Sequence, residues 1–339
     1  MPRRNDRDDP GEFELIDRIV ARLGDAAATE IVVPPGDDAA VWEAPVGATV
    51  ATTDALVEGT HWRHDTMSMA DAGWRVIASN VSDIAAMGAM PEHALIAAVL
   101  PTAFAAEELD AFIDGVAEAC LRHDVRVAGG DIVRGRELAF VVTMLGRAPA
   151  AEGQARVLRR DGARIGDALA VSGTPGAASA GLELIEAGRA QEPLVAPLLT
   201  AHRRPVARVE LGRDALAAGV GCAIDVSDGL LQDLGHIAER SQVGVEIELG
   251  ALPLHPAAVQ ALGEQRARDL ALGGGEDYEL VLSGRAETMT GLSTLDLPVT
   301  MSGRVVAGHP GEAWAIASDG GRYEPPSAGW DQLRPRGGR

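Results

Sequence analysis

Apolar residues in the first half of the chain recur at helical spacing in three segments. Residues 11–24 place an apolar side chain at every third or fourth position, which predicts an amphipathic helix. Residues 68–88 predict a longer helix, because Ser68 and Asp71 form a capping-box pair ahead of an apolar stripe. A third helix is predicted over 106–123.

Shorter apolar runs predict β-strands. In the first half they are "GATVATTD", which we expect to end at Asp54, "HALIAAVLP" at 93–101 and "RELAFVVTMLGR" at 136–147. In the second half the pattern predicts a strand, turn and helix in "DALAVSGTPGAASAGLELIEAG", a helix at 205–219, a strand in "CAIDV", a helix at 229–241, a strand in "GVEIEL", a glycine loop entering a strand in "GGGEDYELVLSG" and a hairpin in "AWAIASDGGRYE".

The stretch 147–163 changes character and is interpreted as a linker or long loop. We therefore expect a loose tail at 1–10, an N-terminal domain at 11–148 and a C-terminal domain at 149–339. Apolar residues make up 46% of the 339, glycine is abundant at 40 and aromatics are 3%, which is typical of a compact α/β protein.

Charge excludes several classes of function. Acidic residues outnumber basic ones by 50 to 30, so the formal charge of −20 argues against a nucleic-acid partner. Every basic residue is arginine, which excludes a P-loop lysine, Schiff-base chemistry and the strand lysine of protein kinases. The acidity fits either an ordinary acidic cytosolic protein or adaptation to a salty cytoplasm.

Location and thiol state follow from the remaining composition. The N-terminus has no apolar signal core, and no run approaches the about 18 apolar residues of a membrane span, so we expect a cytoplasmic protein without a membrane partner. Cys120 and Cys222 stand in apolar stretches and are expected to be buried free thiols.

Acidic residues recur in one context, beside Gly, Ser or Thr at the end of an apolar element. They are Asp37, Asp38, Asp54, Asp83, Asp131, Asp225, Asp228, Glu276 and Asp277. Each one alone is explained by turn or capping chemistry. Together they fit a site for Mg²⁺, which takes oxygen ligands and shares its shell with substrate phosphates. Mg²⁺ would then replace the missing lysine as the neutraliser of a polyphosphate.

Weaker motifs each allow two interpretations. The turn in "SGTPGAASAG" resembles a phosphate-binding turn but lacks G-x-G-x-x-G and a lysine, so tight packing is the simpler interpretation. His61 follows the Asp54 segment and is either structural or faces the same site. Arg160 is either a phosphate ligand or an exposed linker charge, and Trp330 either packs or stacks as a lid.

The ordered series "GEFELI", "GDDAAV", "TTDALVEGTHW", "NVSDIAAMGAMP", "GGDIVRG", "RRDGARIGD", "AIDVSDGLLQDLGHIA" and "GGGEDYEL" resembles the thiamine-monophosphate kinase family. That family belongs to the superfamily of aminoimidazole ribonucleotide synthase, and the resemblance spans about residues 11–332. It implies a two-domain α/β (α+β) fold in which the N-terminal sheet pairs with a second subunit, hence a homodimer. It also implies ATP-dependent, Mg²⁺-requiring phosphorylation of thiamine monophosphate to thiamine diphosphate by direct in-line transfer, without a phosphoenzyme.

The resemblance also implies roles for individual positions. Metal ligands are implied at Asp38, Thr52, Thr53, Asp54, Asp83, Asp131, Asp225 and Asp228. Of these, Asp54, Asp83, Asp131 and Asp225 are the implied catalytic residues. ATP contacts are implied at Gly130, Asp131, Arg160 and Ser227, and thiamine phosphate contacts at His61, Glu276 and Trp330. His123 stands where the family has an aromatic residue near the nucleotide, which leaves the adenine contact open.

The attacking group in such a reaction is a phosphate oxygen that is already ionised, so no strong general base is needed and His61 is expected to orient phosphate. Rival functions remain. The hydrogenase-maturation relative needs a C-terminal cysteine tail, whereas this sequence ends in "RPRGGR", and the selenide kinase needs an N-terminal Cys or selenocysteine and a lysine, neither of which this sequence has. A different ATP-using member of the superfamily and a Mg²⁺-dependent phosphohydrolase would use the same acidic cluster. A non-catalytic acidic metal-binding protein is a further alternative, but it predicts acidic residues scattered over solvated faces and not grouped at strand ends.

Overall fold

The computed structural model describes residues 12–35, 39–43, 46–151, 154–294 and 297–330. The chain divides into two compact units. The first comprises Met1–Val46, Ala51–Asn80 and Pro91–Leu145, and the second comprises Gly47–Val50, Val81–Met90 and Gly146–Arg339.

In the described part of the chain up to residue 148, helices and strands follow one another in the predicted order, with one addition. They are α1 (Glu12–Leu23), β1 (Ala48–Val57), α2 (Met69–Ala86), β2 (Met90–Pro101), α3 (Ala106–His123), β3 (Arg126–Gly135) and β4 (Ala139–Ala148). The addition is β3, which the apolar pattern did not predict. Its Gly129–Gly130 pair and exposed Asp131 and Arg134 interrupt the alternation that marks a strand.

These strands form a sheet in the order β1-β4-β2-β3, with β2 and β3 parallel. Helix α3 packs on this sheet through Phe112, whose ring stacks on Phe140 of β4 at 3.6 Å between centroids. The predicted capping box of α2 is confirmed, since the Asp71 amide donates to Ser68 Oγ at 3.2 Å and the Ser68 amide donates to Asp71 Oδ2 at 3.3 Å. The apolar face of α2 is buried, as predicted for Ile77.

The second half of the described chain contains more elements than the sequence predicted. They are β5 (Ala150–Ala151), β6 (Gln154–Ala155), β7 (Ala168–Ser172), α4 (Ala177–Glu186), α5 (Ala196–Arg203), α6 (Val209–Ala217), β8 (Cys222–Asp225), α7 (Leu230–Ser241), β9 (Gly244–Glu248), α8 (Pro256–Leu262), α9 (Glu264–Gly273), β10 (Leu280–Gly284), α10 (Ala286–Met289), β11 (Val299–Val306), β12 (Ala313–Ile316) and β13 (Arg322–Tyr323).

The predicted helix at 205–219 is shorter than expected, because residues 205–208 are not helical and α6 begins at Val209. The interpretation of 147–163 as a loop omits the short antiparallel pair β5–β6. The predicted hairpin is confirmed by the antiparallel pairing of β12 with β13. Elements α5, α8, α9, α10 and β11 lie in stretches for which the apolar pattern predicted no element.

A mixed sheet in the order β13-β12-β9-β11-β7-β10-β8 forms the centre of the second unit. Alternate residues of one strand enter two different cores, as Leu169 joins one cluster and Ala170 the other. Helix α7 covers one face through Leu230, Leu234 and Ile237, and α6 covers the other. The sheet is therefore buried on both faces, with its loops carrying the polar residues.

Both cysteines are free and buried, as predicted: Cys120 lies in α3 of the first unit and Cys222 in β8 of the second. Burial raises the pKa of each thiol to about 12. Across the described residues, we find no helix with both the length and the apolar character that a membrane crossing needs.

Candidate active site

In the first unit, β1 carries three of the implied ligands, Thr52, Thr53 and Asp54. The strand continues to Val57, so Asp54 lies within the strand and not at its end as expected. Because side chains alternate along a strand, Thr52 and Asp54 share one face and Thr53 points to the other. The Thr53 hydroxyl donates to the Val142 carbonyl of β4 at 3.0 Å.

The turn after β1 fixes the ring of His61. The backbone amide of Val57 donates to His61 Nδ1 at 3.0 Å. A ring nitrogen that accepts a hydrogen bond carries no proton, so the neutral imidazole bears its proton on Nε2. In this geometry the protonated Nε2 is a hydrogen-bond donor.

Strand β3 carries Gly130 and Asp131. Both are exposed, and they stand opposite Ile96 and Ala97 of β2. The sequence pattern had indicated that Asp131 stands at the end of an apolar element. In the structure it lies in the middle of a strand. His123, by contrast, is buried at the end of α3 in edge contact with Trp74 at 6.3 Å between ring centroids, so it packs within the first unit.

In the second unit, Asp225 is the last residue of β8 and is only 2% exposed. Its Oδ2 accepts a hydrogen bond of 2.7 Å from the hydroxyl of Ser82. Ser82 is also buried, and the next residue of α2 is Asp83. The hydrogen bond thus brings the helical segment that carries Asp83 beside the end of β8.

The loop between β8 and α7 wraps around a buried carboxyl group. Asp233 Oδ2 accepts the backbone amides of Ser227, Asp228 and Gly229 at 3.0, 3.2 and 3.1 Å. Burial, reinforced by the negative charges of Asp225 and Asp228, raises the pKa of Asp233 well above its ordinary value.

Potential ligand atoms of Asp228, Asp233 and His236 lie within 4.8 Å of one another. The carboxylates at the end of β8 repel one another, and a bound divalent cation would relieve that repulsion. Mg²⁺ prefers oxygen donors, which these carboxylates supply. The acidic donor set of the second unit therefore fits the implied metal.

The loop before β10 carries Glu276 and is held against the same β8–α7 loop. The Glu276 amide donates to the Ser227 carbonyl at 2.7 Å, and the Tyr278 amide donates to the Val226 carbonyl at 2.9 Å. Between them, Asp277 is buried, and its two oxygens accept the amides of Gly176 and Ala178 at 2.6 and 2.9 Å. The amides of the "SGTPGAASAG" turn are therefore bonded to this carboxyl group, so the turn does not serve as a phosphate loop.

The C-terminal segment passes over the β8–α7 loop. The Trp330 amide donates to the Asp228 carbonyl at 2.8 Å, and the side chain of Gln232 donates to the Trp330 carbonyl at 2.5 Å. The same Gln232 amide group donates to Asp228 Oδ2 at 3.3 Å. The backbone of Trp330 is thus placed beside Asp228.

The structure brings together Asp225, Ser227, Asp228, Glu276 and Trp330 in one region of the second unit. Arg160 is exposed, and its carbonyl accepts the Ser241 hydroxyl at 2.8 Å. Asp38 lies outside the described residues. Sequence reasoning missed the residues that hold this region in place, namely Ser82, Gln232 and Asp233, and it singled out Asp277 only as one more acidic residue. A polar residue in the first turn of α7 is a signal that could have drawn attention to Asp233.

Comparison with known proteins agrees with this fold. The family model for the AIR synthase related protein, N-terminal domain matches residues 36–148, and the model for the C-terminal domain matches residues 164–314. The two α/β domains are thus those of an AIR synthase related protein.

Thiamine-monophosphate kinase from Haemophilus influenzae is 37% identical over 306 residues, which is 87% of this chain and 89% of the relative. The crystal structure of the enzyme of that name from Stenotrophomonas maltophilia K279a superposes with a TM-score of 0.79 at 38% identity, covering 91% of this chain and 96% of the other. A structure of AaThiL complexed with AMPPCP and TMP has a TM-score of 0.74 at 33% identity, covering 94% and 96%. The chain belongs to the thiamine-monophosphate kinase family.

Proposed function

We propose that this protein uses ATP to phosphorylate thiamine monophosphate, giving thiamine diphosphate and ADP. The observation that carries the proposal is the match to relatives named for this activity along most of the chain, at 37% identity for the Haemophilus influenzae enzyme. The AaThiL structure holds both AMPPCP, which is an ATP analogue, and TMP. The exclusion of lysine-dependent kinase chemistry by the sequence is consistent with this family.

We further propose that the acidic residues hold Mg²⁺. In the first unit the proposed ligands are Thr52, Thr53, Asp54 and Asp131, with Asp38 in addition; in the second they are Asp83, Asp225 and Asp228. Mg²⁺, when bound, neutralises the charge of the phosphates. Because the Thr53 side chain points to the face of β1 opposite to Thr52 and Asp54, we assign Thr53 a contact through its main-chain oxygen.

The remaining residues bind and orient the two substrates. Gly130, Arg160 and Ser227 are proposed to contact ATP, and His61, Glu276 and Trp330 to contact thiamine monophosphate. The His61 Nε2–H donates to a phosphate oxygen, since Nδ1 is occupied by the Val57 amide. The acceptor oxygen needs no deprotonation, so we propose direct in-line transfer governed by positioning. A homodimer, as the family resemblance implies, is part of the same proposal.

A product assay on the purified protein tests this function. ATP, thiamine monophosphate and Mg²⁺ are supplied together, and thiamine diphosphate is resolved by chromatography at low and at high salt. We expect thiamine diphosphate only when acceptor and Mg²⁺ are both present. Release of phosphate from ATP without that product would favour a phosphohydrolase, and Mg²⁺-ATP binding without turnover would point to another acceptor.

The variant Asp54→Asn tests the metal assignment in the same assay. We expect kcat to fall by at least about 100-fold, because removal of one group that stabilises transition-state charge typically costs that much. Asp214→Asn, an exposed change on α6, is the control and should leave kcat unchanged. Near-normal turnover of Asp54→Asn, with an unaltered melting temperature, would contradict the assignment.

A further inference from the structure

The loop between α9 and β10 is unusual in its backbone. Glu276 and Tyr278 have φ of 65° and 54°, in the left-handed region that residues other than glycine rarely occupy. Two of the other left-handed residues, Asp124 and Gln242, end helices α3 and α7, where this conformation is common. Glu276 and Tyr278 stand at no helix end. Strained residues of this kind persist where the surrounding structure holds them, and they cluster at functional sites.

Asp277 lies between the two strained residues and is the side chain that ties the loop to α4. Its oxygens accept the amides of Gly176 and Ala178, at the helix end where backbone amides lack helical partners. Close packing reinforces this arrangement, because a Cβ at Gly176 would lie 2.5 Å from the Ala271 nitrogen of α9. The N-terminus of α4 therefore packs directly against α9, the helix that leads into this loop.

The opposite side of the loop is fixed by the main chain of the β8–α7 loop. The amides flanking Asp277 donate to the carbonyls of Ser227 and Val226, and a Cβ at Gly275 would lie 2.4 Å from the Ser227 oxygen. Asp277 and these carbonyls thus hold the loop from two sides. These contacts on the two sides of the loop together set the direction of the Glu276 side chain.

We propose that Asp277 is a positioning residue for the acceptor site: by joining the loop to the first turn of α4, it holds Glu276 in the orientation that binds thiamine monophosphate. This inference rests on the proposed function, since it assigns Glu276 to the acceptor. Asp277 itself touches no substrate in this scheme. It acts through Glu276, so its loss should weaken acceptor binding and leave ATP binding intact.

The test is a double-mutant cycle of Asp277→Asn and Glu276→Ala, with KM measured separately for thiamine monophosphate and ATP. Asparagine keeps the shape of Asp277 but replaces one acceptor oxygen by an NH₂ group, so one of the two bonds to α4 is lost. We expect KM for thiamine monophosphate to rise about tenfold or more and KM for ATP to change by less than about threefold, as a local misplacement of a binding group predicts.

The cycle distinguishes positioning from general destabilisation. If Asp277 acts through Glu276, the double variant should show the KM for thiamine monophosphate of Glu276→Ala alone. Multiplicative effects of the two changes, or equal increases in both KM values, would overturn the proposal. Asp214→Asn on α6 serves as the matched control, with both KM values unchanged.

The proposal also remains testable if a variant fails to fold or if the wild type is inactive. If Asp277→Asn does not fold, Asp277→Glu restores the carboxyl group one methylene further out, and it should show a smaller rise confined to the acceptor KM; an unchanged KM would overturn the inference. A wild-type protein that neither turns over nor binds thiamine monophosphate in calorimetry would overturn the proposed function itself. An active wild type with an unaffected Asp277→Asn variant would overturn the inference alone.

Discussion

Ser82 is a small residue with a large expected influence, because its hydroxyl donates to the buried carboxyl group of Asp225. A hydrogen bond to a charged group is worth about 1.5–3 kcal/mol when its partner is buried. The bond orients an oxygen that we propose to bind Mg²⁺, so its loss should weaken metal binding before it affects the fold.

We therefore predict that Ser82→Ala raises the Mg²⁺ concentration for half-maximal activity by at least about tenfold, which is the lower end of what one such bond is worth. A Mg²⁺ titration of initial rates measures this. Ser79→Ala is the matched control, since Ser79 lies in the same helix but its hydroxyl donates to the Val76 carbonyl. An identical Mg²⁺ requirement in both variants would show that Ser82 does not orient a ligand.

Asp277 also makes stability depend on pH. Burial raises its pKa to about 8, with a further contribution from the carboxylates of Glu279 and Glu276, while the amides of Gly176 and Ala178 oppose the rise. The folded protein therefore keeps a proton on Asp277 up to about pH 8, whereas the unfolded chain releases it near pH 4. The stability that this proton contributes is complete below pH 4 and is lost as the pH rises towards 8.

The comparison with Asp277→Asn isolates this effect, since asparagine does not titrate. We predict that the free energy of unfolding of the wild type, minus that of the variant, falls between pH 5 and pH 8 with a slope of at most about 1.4 kcal/mol per pH unit. Urea unfolding at pH 5 to 9 measures it. A difference that grows with pH would show that the folded state prefers the ionised group.

Among the elements, helix α2 shows how a short sequence motif at a helix N-terminus contributes to stability. Its N-terminus is closed by reciprocal bonds between Ser68 and Asp71, and the sequence predicted this capping box. We predict that Ser68→Ala lowers the free energy of unfolding by about 1 kcal/mol, the usual cost of losing such a cap. Chemical denaturation measures the loss, and Ser68→Asp should recover most of it; equal losses in both variants would contradict the role of the cap.

The elements that could be predicted are those whose periodicity is uninterrupted. Helices α1, α2, α3 and α7 each carry an apolar face, and their bounds agree with the prediction within a few residues. Strand β3 could not be predicted because Gly129 and Gly130 remove the side chains that would mark it. Helix α8 is short and rich in alanine, and the first half of α9 is mainly polar and charged, so the apolar pattern of both is weak.

The same limit applies to the site. Acidic residues near glycine could be singled out from the sequence, and the resemblance assigned roles to them, which remain predictions. The sequence around Glu276 and Asp277 does not show which of the two side chains turns towards α4. That depends on the left-handed backbone conformation of Glu276 and Tyr278. Likewise Ser82 and Asp225 are 143 positions apart, and only the fold places them in contact.

For the whole molecule, a formal charge of −20 is the dominant electrostatic property. Like charges repel at low ionic strength, and the screening length falls from about 10 Å at 0.1 M salt to about 3 Å at 1 M. We predict that the melting temperature rises with NaCl and KCl alike over this range. Scanning calorimetry measures it, and a melting temperature that falls with salt would show that favourable ion pairs outweigh the repulsion.

The placement of the two cysteines offers a practical consequence for studying how the molecule opens. Cys120 is buried in the first unit and Cys222 in the second, and both thiols are held in the unreactive protonated form. An alkylating reagent can reach either one only when the surrounding structure opens, so the rate of its labelling measures that opening. One mass-spectrometric experiment on the unmodified sequence can therefore follow the labelling of Cys120 and of Cys222, and so give an opening rate for the structure around each cysteine.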